Sequence, residues 1–331
     1  MSALPLTLSG ATASTLCLGT AAFGTTVSES DAFALLDRFV AAGGNFIDTA
    51  RIYSDWVPGE LRRSERILGD WLHARQHRSH LIMATKGAHA FIESLDVPRS
   101  SAEEIRDDLE GSLRTLRVEV IDLYWLHRDD AHRPVEHFID LLNAFVREGK
   151  IRAFGASNWS AARLRAANDY AHKNGLLGFA ANQPLWCLGS AQALPPKDSG
   201  LVRFDATLDQ FHRETGLPVV PYTSQANGFF SKFSVHGTAF KAGSALLDFN
   251  TPTNIETAHV VNEIATSRGV KVSAVVLAYL WSRPFAVHPI VGCRLLAQLD
   301  ECIAATELRL TAAELSLLET VSRSQLPAFI A

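Results

Sequence analysis

Asn45-Phe-Ile-Asp-Thr-Ala-Arg-Ile-Tyr53, Leu81-Ile-Met-Ala-Thr-Lys86 and Ile121-Asp-Leu-Tyr-Trp-Leu-His127 share one design: a short apolar run that ends in ionisable residues. Such runs, apolar on both faces and separated by helical pattern, read as strands buried in a parallel sheet. When successive strands of an alternating chain end in polar residues, those residues converge on one rim of a closed barrel. That rim is where such barrels carry their chemistry.

The same alternation continues outward from these three segments. Strands are predicted at 15–18, 45–48, 81–85, 121–126, 151–156, 179–183, 219–222 and 287–291. Helices are predicted over 30–42, 64–74, 101–116, 135–148, 161–174, 206–215 and 255–268. Ser101 followed by Glu104 is a capping-box start, and Gly43, Gly149, Gly175 and Gly269 fall near helix ends. No Gly/Ser-rich linker interrupts the chain. The expected architecture is therefore α/β, a (β/α)8 TIM barrel in a single domain over residues 1–331. Two stretches, 186–201 and 228–253, break the alternation and read as long loops on the C-terminal face. Helical runs at 272–281 and 311–322 are additional to the eightfold plan.

Bulk composition excludes several function classes. Of 331 residues, 47% are hydrophobic and 20% charged, with a net charge of −4, ordinary for a globular enzyme-sized chain. No basic footprint for nucleic acid stands out, and no apolar run has the ~18 residues needed to span a membrane. The N-terminus lacks a basic segment before an apolar core, so no secretory signal is expected. Cys17, Cys187, Cys293 and Cys302 form no Cys-x-x-Cys pair and have no histidine at ligand spacing. They read as reduced thiols of a cytoplasmic protein, with no metal site.

Asp48, Tyr53, Lys86 and His127, in this order after successive strands, resemble the catalytic tetrad of the aldo-keto reductases, and the resemblance covers nearly the whole chain. It implies NAD(P)H-dependent reduction of a small-molecule aldehyde or ketone. Carbonyl reduction needs a hydride, which no side chain supplies, and a proton donor at the carbonyl oxygen. A phenol has an ordinary pKa near ~10, and an adjacent ammonium lowers it. Tyr53 would be the general acid and Lys86 its cationic neighbour. Asp48 would keep Lys86 charged, and a neutral His127 would orient the carbonyl. Taken singly, each residue also has a plain structural reading as a strand-end, loop or capping residue. It is their joint occurrence that points to chemistry.

The chain has no Gly-x-Gly-x-x-Gly turn, so a Rossmann mode is not supported. The resemblance instead implies a cofactor cradle spread over strand ends. Gly19, Thr20 and Asp48 would contact the cofactor, and Ser157, Asn158 and Gln183 would hold its carboxamide. Tyr222 would stack on the ring, with Thr223, Gln225 and Asn227 toward the pyrophosphate. Gly292, Arg294 and Gln298 would grip the adenosine end, where Arg294 paired with a 2′-phosphate favours NADPH over NADH. Cys293 and Cys302 depart from the family's pattern here, as does Thr223-Ser-Gln-Ala-Asn227. Trp56 and Trp159 are the candidate substrate residues, with Phe23, His89, Phe229 and Phe230 also in nearby loops. An N-terminal hairpin at 4–8, closing the barrel's bottom, is likewise implied only by the resemblance. A cofactor-sensing regulatory protein of the same fold, an alcohol-oxidising dehydrogenase and a Lys86 Schiff-base enzyme remain alternatives. Substrate and oligomeric state are not encoded in any motif.

Overall fold

The computed structural model describes residues 6–8, 10–76, 78–196, 198–241 and 243–323. A two-stranded antiparallel hairpin, β1 (Thr7–Leu8) and β2 (Ala11–Thr12), comes first. Residues 4 and 5 of the expected hairpin lie outside the described residues. The strands β3 (Cys17–Gly19), β4 (Phe46–Asp48), β5 (Ile82–Gly87), β6 (Ile121–Leu126), β7 (Ile151–Ser157), β8 (Asn182–Gln183) and β9 (Ile290–Val291) form one sheet. Their order is β8-β7-β6-β5-β4-β3-β9, and every neighbouring pair is parallel.

The expected seventh strand, 219–222, is present as backbone but not as a regular strand. Val219 bridges Asn182 on one side and Val287 on the other. Val220 N donates to Asn182 O (2.8 Å) and Tyr222 N to Pro184 O (3.1 Å), while His288 N donates to Val219 O (2.8 Å). These bonds close the ring into a (β/α)8 barrel. Pro184, Pro218, Pro221 and Pro289 interrupt the ladder because a proline has no N–H to give it.

Around the ring run α1 (Glu29–Ala41), α2 (Arg63–Arg75), α3 (Ala102–Leu116), α4 (Val135–Arg147), α5 (Ala161–Lys173) and α6 (Ala206–Thr215). They are followed by α7 (Phe229–His236), α8 (Pro252–Arg268), α9 (Val272–Trp281), α10 (Leu296–Ala305) and α11 (Ala312–Val321). The Ser101–Glu104 capping box at α3 forms as expected. The stretch 228–253 is not the loop expected from its composition. Phe229, Phe230 and Phe233 recur at helical spacing and pack with Phe240 and Phe249, which folds the segment into α7 and a 3-10 turn.

The lower barrel interior is filled by apolar side chains. Leu6, Leu8 and Ala13 pack from below on Cys17, Phe46, Ile82, Leu123, Trp125 and Val220. Two larger apolar layers fill the space between strands and helices. A buried histidine ties the seventh position together. His212 of α6 donates from Nδ1 to Leu217 O (2.7 Å), and its Nε2 accepts from Asn182 Nδ2 (3.0 Å).

Burial lowers the His212 pKa from 6.5 to about 4. A group depressed on folding contributes stability that is present above its unfolded pKa and lost as pH falls toward the folded one. Urea unfolding of the wild type and His212→Gln should therefore show a stability difference that shrinks by about 2 kcal/mol between pH 7 and pH 4.5. A difference independent of pH would mean that His212 is not held neutral.

Candidate active site

Three strand ends deliver the expected tetrad to one place. Asp48 ends β4, Lys86 lies one residue before the end of β5, and His127 follows β6. Parallel register sets Asp48 beside Ala84 and Lys86 beside Trp125, so both side chains enter the same rim. Tyr53 arrives on the turn after β4, its N–H donating to Ala50 O (3.1 Å).

The Lys86 ammonium spends all three protons. It donates to Asp48 Oδ2, to Thr49 O (2.8 Å) and to Tyr53 Oη (2.9 Å). It has no exposed surface to speak of, and neither does Asp48. The second Asp48 oxygen accepts from Gln183 Nε2 (3.0 Å). Burial pushes the Asp48 carboxyl up against the pull of Lys86 and Gln183. Burial also lowers Lys86, but Asp48 and Tyr53 outweigh it and the ammonium ends above its ordinary range. Tyr53 departs from the sequence expectation. Lys86 does pull its pKa down, but burial acts more strongly and leaves it raised. At neutral pH Tyr53 is thus a phenol whose oxygen already accepts from Lys86, so its own proton is free to point elsewhere.

His127 is kept neutral, its pKa pushed well below 6.5 by burial and then by His89, Arg128 and Lys86. Its Nδ1 is buried without a partner among the described residues. The rings of Tyr53 and His127 stand edge-on at 6.0 Å, and His89 packs on His127 at 4.6 Å. His89 is delivered there by Ala88, whose φ of 61° is the left-handed region a non-glycine residue enters only when its surroundings impose it. Asp108, paired with Arg99, accepts from Ala88 N and holds that turn (3.0 Å).

The expected cofactor residues line the other half of the rim. Asn158 fills all four positions of its amide. Nδ2 donates to His127 O (3.2 Å) and Ser157 Oγ (3.1 Å), and Oδ1 accepts from Tyr222 Oη (2.7 Å) and Val202 N (3.0 Å). Ser157 Oγ donates to Gln183 O (2.9 Å). Thr223, Ala226 and Asn227 all have positive φ, so this segment is backbone-strained. Gln225 accepts from Cys302 Sγ (3.7 Å), which lies 3.9 Å from Cys293 Sγ. Gly292, Arg294 and Gln298 are exposed at the start of α10. Gln298 Oε1 accepts from Arg294 N (2.8 Å), and among the described residues the Arg294 guanidinium has no partner.

Several expectations need correction. Trp159 has no exposed surface and packs edge-on to Phe138 of α4 and to Phe179, outside the strand ring, so it cannot line a substrate cleft. Phe23, Phe229 and Phe230 are core residues too. The Thr20 hydroxyl bonds Asp48 O (3.2 Å) and Ser64 (2.8 Å), tethering the end of β4 and not facing the cleft. Gly19 is there because a side chain would meet Ile290 at 2.6 Å. Trp56 does stand at the rim, 47% exposed and edge-on to Tyr53 at 6.0 Å. Sequence reasoning missed Arg128 and Asp198, which pair at 2.8 Å beside His127. The only signal was that Arg128 directly follows a strand-terminal histidine.

Asp48→Asn leaves the Lys86 charge buried without a counter-charge. It should lower the unfolding free energy by about 3–5 kcal/mol, read by urea unfolding at pH 7. The double variant with Lys86→Met should recover part of that loss. A full additive loss would sink the pairing argument.

The sequence of the protein matches the model of the aldo/keto reductase family over residues 15–323. The norsolorinic acid reductase stcV of Emericella nidulans is 31% identical over 93% of this chain and 78% of its own length. The aldo-keto reductase ausK of Aspergillus calidoustus is 30% identical over 89% and 73%. The putative aryl-alcohol dehydrogenase AAD14 of Saccharomyces cerevisiae is 27% identical over 96% and 82%. With a barrel whose strand ends gather a Tyr, a Lys, an Asp and a His, and with a match of this extent, the chain belongs to the aldo/keto reductase family of oxidoreductases.

Proposed function

We propose that the protein reduces an aldehyde or ketone to an alcohol, using NADPH, with residues 1–331 acting as one cytoplasmic catalytic domain. The observation that carries this is the buried Lys86 ammonium held between Asp48 and the Tyr53 hydroxyl. A bound nicotinamide would supply the hydride. Tyr53 is the general acid. Its raised pKa keeps the proton in place through the neutral range. The Lys86 proton on its oxygen stabilises negative charge as the proton leaves. Asp48 keeps that ammonium charged. His127 has an orphaned Nδ1, and an orphan acceptor is tolerated better than an orphan N–H. The ring proton then sits on Nε2, where it donates to the carbonyl oxygen and sets its direction.

The residues present fit a nicotinamide dinucleotide. Ser157, Asn158 and Gln183 carry the amide and hydroxyl groups that a carboxamide could engage by exchange with their present partners, and Tyr222 offers a ring beside them. The turn that carries Thr223, Gln225 and Asn227, strained at Thr223, Ala226 and Asn227, suits a backbone approach to phosphate. Arg294, unpartnered among the described residues at the start of α10, suits a 2′-phosphate. Gly292 leaves open space next to it, and Gln298 retains its amide N–H groups. Trp56 would wall the substrate. A relative named putative aryl-alcohol dehydrogenase makes aryl carbonyls the first class to try and also favours testing the oxidising direction, while one named norsolorinic acid reductase favours the reducing one. There Tyr53 would take the proton instead. The saturated, charged state of Lys86 argues against a Schiff base, which needs a free amine.

Tyr53→Phe should keep NADPH affinity, measured by fluorescence titration, yet lower kcat on an aromatic aldehyde by about 10²-fold or more. Turnover retained in that variant would remove Tyr53 from the acid role. Arg294→Met should cut the NADPH-to-NADH ratio of kcat/KM by about tenfold to a hundredfold, mostly through KM. An unchanged ratio would place the 2′-phosphate elsewhere.

A further inference from the structure

Arg128 occupies a position that the tetrad does not use. It follows His127 at the C-terminal end of β6, and its side chain is 19% exposed. Nη1 donates to His127 O at 3.0 Å, the same carbonyl that takes Asn158 Nδ2. Asn158 in turn accepts from Tyr222. The guanidinium therefore lies among the groups that ring the cleft, and its charge acts on Tyr53, His89, His127 and Tyr222.

Among the described residues beside the tetrad, Arg128 has protons to spare and Lys86 has none. Lys86 has placed all of its protons on protein partners. A guanidinium has five N–H groups, and partners among the described residues engage Nη1 and Nη2 once each. The counter-ion of Arg128 is also unlike that of Lys86. Asp198 comes from the long segment after β8, is 27% exposed and is held otherwise by Gly200 N (2.8 Å). A carboxylate already sits on the guanidinium at 2.8 Å. An incoming carboxylate of matching geometry can take its place on the guanidinium as a bidentate partner, with Asp198, already part-exposed, turning to solvent.

Building on the carbonyl-reductase proposal above, we infer that Arg128 is a specificity-determining residue, and that the substrate carries a carboxylate which displaces Asp198 from it. The carbonyl then meets Tyr53 and His127 while the acid end is held by Arg128.

The test compares 3- and 4-formylbenzoate with their methyl esters, as the acid-to-ester ratio of kcat/KM with NADPH. Arg128→Met should lower that ratio tenfold or more, and Arg128→Lys should restore part of it. Asp198→Asn, which removes the competing carboxylate, should raise the ratio threefold or more through KM. Opposite movement by the two variants is the expected result. If the pair only ties down the loop, both variants will change acid and ester by the same factor, and the inference falls. If the wild type consumes NADPH with neither acid nor ester, the reductase proposal fails, and calorimetry with 4-formylbenzoate alone still decides this one. Binding tighter in Asp198→Asn and weaker in Arg128→Met supports it, and equal binding in all three overturns it.

Discussion

A lysine ammonium and an aspartate carboxylate are buried together at the top of an apolar barrel, and much of the site follows from keeping them there. An isolated charge in such a place is untenable, and a pair is stable only when its remaining protons and lone pairs are met. Thr49 O, Tyr53 Oη and Gln183 Nε2 meet them. That requirement fixes the register of β4 against β5 and the sharp turn that brings Tyr53 back. It also draws β8 in from across the ring through Gln183. A second polar layer supports the first. Thr85, next to Lys86, donates to the buried Glu65 (2.7 Å), which pairs with Arg51.

Much of this was legible in the sequence because buried parallel strands and amphipathic helices leave strong periodic traces. The positions of Asp48, Lys86 and His127 needed only the rule that barrel strands end at one rim. The failures have specific physical causes. Prolines at 184, 218, 221 and 289 break hydrogen-bond ladders without breaking the chain's path, so the seventh strand is real in position and irregular in form. Phe229, Phe230 and Phe233 carried a helical period that loop-like neighbours obscured. Trp159 sits one residue past Asn158 in sequence yet on the other side of the strand wall, because residues at a strand's end diverge to opposite faces. No local pattern reveals a balance between burial and a nearby charge. The sign of the Tyr53 shift therefore had to come from packing.

Backbone strain recurs around the whole rim. Ala88, Asn158, Thr223, Ala226 and Asn227 all hold left-handed backbone at the strand ends that line it. Each costs on the order of 1–3 kcal/mol, which a rigid barrel beneath can offset. These turns aim side chains that straight strand exits would direct elsewhere, His89 onto His127 being the clearest case.

Asn158 is bonded at every position its amide offers, and Gln183 is already committed to Asp48. A ligand amide arriving there replaces hydrogen bonds and does not add them, and such an exchange contributes little net free energy. If they hold a nicotinamide as proposed, these residues would act as a template that rejects the wrong ring face more than as a source of affinity. On the proposed reading, affinity would come from apolar contact and from the charged far end, where Arg294 is exposed. Ionic attraction in solvent is screened by salt within about 10 Å at 0.1 M. The grip on a dinucleotide would therefore loosen with ionic strength, while its orientation at the catalytic end would not.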